Sequence, residues 1–289
     1  RDWTIRNLLY EKEEVPVTVR RADGSEKTAS VPTGAPVPSK GIDGPPISWR
    51  ALDEKSALLR VTAFTPSPEA WKRFGSETPE AKDRTVEAWR EDLRRAFAGM
   101  GAREAVVLDL RGNGGGTDLL GQFLAEQLLE GEFVYFRLRT RLSPDVLALP
   151  DFAVWKSMGR TEGWTDEAAI PVKRRGPPSH LGRLVVLIDE RCFSVTDNFL
   201  ACLRDLHPDV RFVGRPTGGG TGAPRRIATL PHSGATITAC VMEPRSPKGR
   251  LIEGRGTSPD IPVQWSRDDL LSGRDPDIEA ALREIAAAR

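Results

Sequence analysis

Along the chain, short uninterrupted apolar runs alternate with stretches in which apolar residues recur every three or four positions. The first pattern predicts strands buried on both faces, the second helices with one face against a core. Val86, Trp89, Leu93, Phe97 and Met100 form the clearest helical stripe, with Thr78 as its cap and Pro79 at its first position. A strand over 57–64 precedes it. After it come strand 105–109, a glycine loop, helix 118–129, strand 132–139, strand 184–189, helix 195–206 and strand 211–214. A hairpin over 226–242, an exposed loop around Pro247 and Gly249, and a helix from Pro276 complete the order. Such alternation predicts the α/β class, with a mostly parallel sheet flanked by helices.

Upstream, Trp3 to Tyr10 read as a short amphipathic helix, and Val15 to Arg20 and Lys27 to Val31 as strands around the turn Ala22-Asp23-Gly24-Ser25. One helix and one hairpin bury too little to stand alone. Proline and glycine crowd Pro32 to Pro46 and set the boundary: 1–35 as a small N-terminal unit, 36–56 as linker, 57–289 as the main body. The stretch from Thr140 to Pro178, with Trp155, Trp164 and the basic run Lys173-Arg174-Arg175, follows neither pattern and reads as a surface excursion or a lid. Opening at Arg1 rather than Met, the chain reads as a piece of a longer product.

Composition excludes more than it identifies. The 289 residues are 39% apolar and 29% charged, as in ordinary globular proteins. A net charge of +1 with no single-sign run gives no basis for nucleic-acid or membrane-surface binding. The longest apolar runs, such as Leu184 to Ile188, fall far short of the roughly 20 residues of a membrane span. Three cysteines, Cys192, Cys202 and Cys240, lack metal-type spacing, so neither a disulfide framework nor a metal site is expected, and no cofactor is implied.

Two strand-turn-helix units carry the candidate chemistry. In Asp109-Leu110-Arg111-Gly112-Asn113-Gly114-Gly115-Gly116 the glycines end in Thr117-Asp118, which is neither a Walker loop nor a dinucleotide fingerprint. An oxyanion hole or a plain tight turn remains, the former because bare backbone lets a carbonyl approach the N–H groups. In Cys192-Phe193-Ser194-Val195-Thr196-Asp197 a serine stands at the turn. Ser194 is either a nucleophile beside the unpaired N–H of Val195 or a simple helix cap. Cys192, with no histidine nearby in sequence, reads as a small buried filler.

Together with Leu251-Ile252-Glu253-Gly254-Arg255-Gly256-Thr257-Ser258-Pro259-Asp260-Ile261, these segments resemble the C-terminal processing proteases, a family that includes the tail-specific proteases, the tricorn core and the retinoid-binding proteins. Phe193 to Asp197 and the run Thr217-Gly218-Gly219-Gly220 are most similar to the tricorn and retinoid-binding branch. The resemblance covers Ala57 to Val263. It implies a ClpP/crotonase-like fold with residues 1–35 as the remnant of a PDZ-like domain.

The resemblance also implies a serine peptidase acting through an acyl-enzyme at Ser194, with Gly115, Gly116 and Val195 as oxyanion donors and Glu253 completing the catalytic set. Peptides or unfolded proteins would be its substrates and the periplasm or exterior its location. The base is where the pattern departs. A lysine would stand near Gly220, yet none lies between Ser194 and Lys248. A histidine would stand where Arg60 does, and a guanidinium, which keeps its proton near neutral pH, cannot serve as a general base. His180, His207 and His232 read as loop histidines, and Asp205, about 16 Å of helix beyond Ser194, as a structural group. Two alternatives stay open: an inactive relative that binds peptides or hydrophobic ligands, and an esterase or amidase on the same scaffold.

Overall fold

The computed structural model describes residues 14–20, 23–32, 45–66, 78–149, 152, 156–222 and 224–287. The chain divides into two units, Arg1–Gly44 and Pro45–Arg289. In the first, β1 (Glu14–Arg20) pairs antiparallel with β2 (Glu26–Pro32). Arg20 Nε donates to Glu26 Oε1 across the pair at 2.8 Å, and Asp23 Oδ1 accepts the N–H of Ser25 to close the turn. The helix expected over Trp3 to Tyr10 lies outside the described residues.

The second unit is built on a six-stranded sheet. Its strands are β3 (Ile47–Ala51), β4 (Ser56–Val61), β5 (Ala105–Asp109), β8 (Arg183–Ile188), β9 (Arg211–Gly214) and β13 (Ile261–Pro262). Their order is β13-β9-β8-β5-β4-β3, and every neighbouring pair is parallel except β3 with β4. The uninterrupted apolar runs take the centre because a parallel strand is covered on both faces. Period-two alternation then divides their side chains. Leu59, Val61, Val106, Leu108, Val186 and Phe212 meet α1 (Pro79–Met100), α2 (Asp118–Leu128) and α4 (Val195–Leu206) on one face. Leu58, Val107, Val185, Leu187 and Val213 meet α6 (Pro276–Ala287) on the other.

Outside this sheet lie α3 (Pro144–Leu147), α5 (Arg267–Ser272) and a three-stranded antiparallel sheet. The latter joins β6 (Phe133–Arg139), β7 (Ala168–Val172) and β12 (Glu243–Arg245). An exposed hairpin pairs β10 (Pro224–Thr229) with β11 (Thr236–Cys240).

Three expectations need correction. Residues 47–51, read as linker, form the antiparallel edge strand β3, whose outer residues are polar or half-exposed and so lack the apolar run that marks the centre. The stretch 140–178 is not wholly irregular, since β7 pairs there with β6 despite Pro171. Pro247, expected in an exposed loop, is buried with Ser246, because Arg250 and the N–H of Lys248 bind Asp205 at the end of α4.

The parallel strands share one consequence. Their C-terminal ends converge, so the loops after β4, β5, β8 and β9 meet at one end of the sheet, where open α/β sheets place their sites.

Candidate active site

Ser194 ends the connection from β8 to α4, and its backbone is unusual. With φ 59° and ψ −123° it is, among the described residues, the only non-glycine at positive φ. It occupies the N-cap position of α4 but its side chain makes no capping bond. Its N–H donates to Gly220 O at 2.6 Å, and its C=O accepts from Asp197 and Asn198 N–H. A side chain held at such a turn stores strain of about 1–3 kcal/mol. Ser194→Gly is therefore expected to raise the free energy of unfolding by about 1 kcal/mol, the relief being partly offset by glycine's greater freedom in the unfolded chain. Urea denaturation checks this, and a lowered midpoint would contradict the strain.

The glycine loop lies against this turn. A Cβ on Gly115 (φ 100°) would stand 2.7 Å from Ser194 Cβ and 3.0 Å from Val195 N, so only glycine admits the approach. Gly116 is bridged to Phe64: Phe64 N–H donates to Gly115 O and Thr117 N–H to Phe64 O, each at 2.9 Å. Phe64 itself is fully buried against Trp89 and Phe199, which fixes the loop to the core.

Asn113, which the sequence reading passed over, joins the two turns. Fully buried, it donates from Nδ2 to Val61 O at 3.0 Å, while its Oδ1 accepts Gly115 N–H and Thr196 Oγ1, both at 2.9 Å. Its C=O takes the N–H of Phe193. The only sequence signal was its place between glycines, where asparagine commonly bonds nearby backbone. Of the three N–H groups expected as oxyanion donors, that of Gly115 is thus already engaged. Those of Gly116 and Val195 have no partner among the described residues.

A third loop, 215–222, closes the site. Asp197, buried in the first turn of α4, accepts Thr217 Oγ1 and Gly219 N–H. Glu253 Oε2 accepts the N–H groups of Thr221 and Gly222, each at 2.7 Å, and Cys240 Sγ lies 3.3 Å from its other oxygen. Glu253 therefore touches Ser194 only through the loop whose Gly220 C=O holds the serine N–H. Beside it, Thr221 Oγ1 donates to Asn198 Oδ1 and Asn198 Nδ2 to Asp118 Oδ1, tying the first turns of α2 and α4 to the loop.

Burial sets the electrostatics here. Desolvation pushes the carboxyl of Asp118 up despite its bond to Asn198, and that of Asp197 up to about 6 despite its donors. An acid whose folded pKa lies above its ordinary 3.8 binds more protons folded than unfolded between the two values, so its ionisation costs stability as pH rises. For Asp197 the cost is fully present above pH 6 and gone below about 3.8. Wild-type protein is expected to gain about 1 kcal/mol from Asp197 between pH 7.5 and pH 5, and Asp197→Asn to lack that gain. Paired urea titrations at the two pH values measure it; equal slopes in both proteins would refute it.

The remaining candidates stand elsewhere. Arg60 Nη1 reaches Asp109 Oδ2 at 3.2 Å on the α6 face of the sheet. His180 Nε2 lies 3.2 Å from Arg183 O, His207 ends α4, and His232 is exposed in the β10–β11 turn. Among the described residues no lysine or histidine hydrogen-bonds Ser194 Oγ. Cys192 is buried with its Sγ against Leu110 O, and desolvation holds its thiol well above the ordinary range. Among the described residues no cluster of three or more His, Cys, Asp or Glu could hold a metal ion.

The family model described as Peptidase family S41 matches residues 55–263. Among solved structures, mature CPAF complexed with lactacystin superposes with a TM-score of 0.66 at 16% identity, over 95% of this chain and 68% of that one. A candidate peptidase from Parabacteroides merdae ATCC 43184 gives 0.60 at 21%, over 82% and 64%. The photosystem II D1 C-terminal processing protease gives 0.50 at 16%, over 87% and 55%. These likenesses show the fold, and the chain spans less than two thirds of the last two proteins. No curated protein matches the chain.

Proposed function

The chain belongs to peptidase family S41, a family of serine hydrolases, and from that premise we propose that it cleaves peptide bonds through an acyl-enzyme on Ser194. One observation carries the reading: a strained serine whose side chain caps nothing, at a turn against which the glycine loop packs, with the N–H groups of Gly116 and Val195 unpartnered among the described residues. Ser194 Oγ attacks the scissile carbonyl carbon, and the resulting oxyanion lies against the N–H groups of Gly116 and Val195. The C–N bond breaks as the leaving amine takes up the proton that Ser194 gives up, and water then hydrolyses the ester, freeing the acid and restoring the serine hydroxyl. Gly115 contributes space rather than a donor, and Glu253 positions the loop that grips the serine backbone. Phe193 and Leu119, 46% and 45% exposed beside the two turns, favour apolar side chains next to the scissile bond.

Unstructured peptide segments suit such a site, since an extended chain presents its carbonyls to backbone donors. The hairpin of β1 and β2 is consistent with the closing strands of a PDZ-like domain, and action in the periplasm or outside the cell agrees with the family resemblance. Among the described residues no helix is long and apolar enough to cross a membrane.

A second reading, a peptide-binding relative without turnover, is favoured by the lack of a lysine or histidine on Ser194 Oγ among the described residues. Mass-spectrometric mapping after treatment with a fluorophosphonate decides between them. An adduct at Ser194 supports the peptidase; a folded protein that stays unlabelled supports the binding protein.

A further inference from the structure

The far face of the sheet carries an ion cluster built around the buried carboxylates of Asp109 and Asp277. Arg111, which leads from β5 into the glycine loop, uses all of its guanidinium N–H groups. It donates to both oxygens of Asp109 at 2.9 and 2.8 Å, to both oxygens of Asp275 at 2.9 Å, and to Asp277 Oδ2 at 2.9 Å. Arg215, which leads from β9 into the 215–222 loop, places Nη1 within 3.4 and 3.3 Å of the two oxygens of Asp277, and its Nε reaches Glu190. Trp265 Nε1 adds a third donor to Asp277 at 3.0 Å. Asp277 is completely buried in the first turn of α6, which packs through Ala280 and Ala281 on β5, β8 and β9.

Both loops around Ser194 thus start from an arginine that ends on one carboxylate. We propose that Asp277 is a positioning residue of the serine site, holding the glycine loop through Arg111 and the 215–222 loop through Arg215 from the opposite face of the sheet. The activity part of this proposal rests on the peptidase reading above. Asp277, Asp275 and Trp265 lie beyond the matched segment 55–263, so this chain ties its site to an element that the family model does not include.

The physical reason is rigidity. A glycine-rich loop orders only at an entropic cost, and donors displaced by a fraction of an ångström lose most of their hold on a developing charge. At its far end the glycine loop is pinned by the Phe64–Gly116 bridge, and at its near end by Arg111. A half-buried guanidinium deprived of one carboxylate seeks other partners, so the arginine and the loop it leads into shift together.

The experiment compares Asp277→Asn with wild type in the full chain by hydrogen exchange read on peptides covering 111–117 and 215–222, and by the rate of phosphonylation at Ser194. Exchange is expected to speed up in both loops together, with the rate constant of phosphonylation falling about 100-fold and the reversible affinity for the probe changing less than about 3-fold. Arg215→Gln is expected to loosen 215–222 alone, and it serves as the test should Asp277→Asn fail to fold. Unchanged exchange in both loops of Asp277→Asn, or in 215–222 of Arg215→Gln, overturns the proposal. A wild-type protein that does not label refutes the peptidase reading, while the exchange result still decides the role of Asp277.

Discussion

Ser194→Ala is expected to lower kcat/KM for peptide hydrolysis by about 10⁴-fold or more while leaving the free energy of unfolding within about 0.5 kcal/mol of wild type. The two halves of that expectation come from one geometry. On the proposed reading, removing Ser194 Oγ ends the acyl-enzyme route and leaves only what binding and the two proposed oxyanion donors supply. Stability is spared because the hydroxyl caps no N–H and because alanine suffers the same positive φ as serine. A capping serine would instead cost about 1 kcal/mol on replacement. Steady-state kinetics and urea denaturation of the same preparation measure both quantities. Retained hydrolysis would place the chemistry elsewhere, and a stability loss of the capping size would mean that the hydroxyl serves the helix.

Gly116→Ala should have the largest effect on the molecule as a whole. Its Cβ would lie 2.0 Å from Phe64 O and 2.4 Å from the carbonyl carbon, and neither is the end of a movable side chain. Residue 116 also sits at φ 148°, which alanine rarely adopts. The bridge to Phe64 must therefore break, at an expected cost above about 3 kcal/mol in stability. On the proposed reading, activity of the folded fraction is expected to fall by about 10²- to 10³-fold as one proposed oxyanion donor swings away. Gly114→Ala is the control. Nothing lies within 4 Å of a Cβ there and its φ is not positive, so a change within about 0.5 kcal/mol is expected. Similar losses in the two variants would show that the loop tolerates no side chain anywhere, and that the bridge has no special part.

Legibility in the sequence followed burial. Helix α1 was readable from Thr78 to Met100 because its cap, its proline and its apolar stripe agree, and Thr78 Oγ1 does accept the N–H of Ala81. Strands β5 and β8 were readable because their residues are buried on both sides. Strands β3 and β7 were not: an edge carries one covered face at most, and Trp49, Arg50 and Pro171 obscure what pattern is left. Within the site, the glycine loop and Ser194 announce themselves locally, through residue types that special backbone angles demand. Asn113 and Asp277 do not, since each owes its place to groups far along the chain, Val61 for the one and Arg111 for the other. The engagement of the Gly115 N–H was hidden for the same reason, because nothing in the local sequence shows that Asn113 turns its carboxamide onto it.

The long reach of Arg111 also orders events in time. Its partners Asp275 and Asp277, just before and in the first turn of α6, are separated from it by 164 and 166 residues, and β5 cannot pair with β8 until α2, β6, α3 and β7 have been synthesised between them. Contacts of such span form late in folding, after the local helices. A nascent chain that has displayed both turns of the site still holds Arg111 with Asp109 alone, so the tie that joins the two loops through Asp277 forms only after residue 277 has left the ribosome.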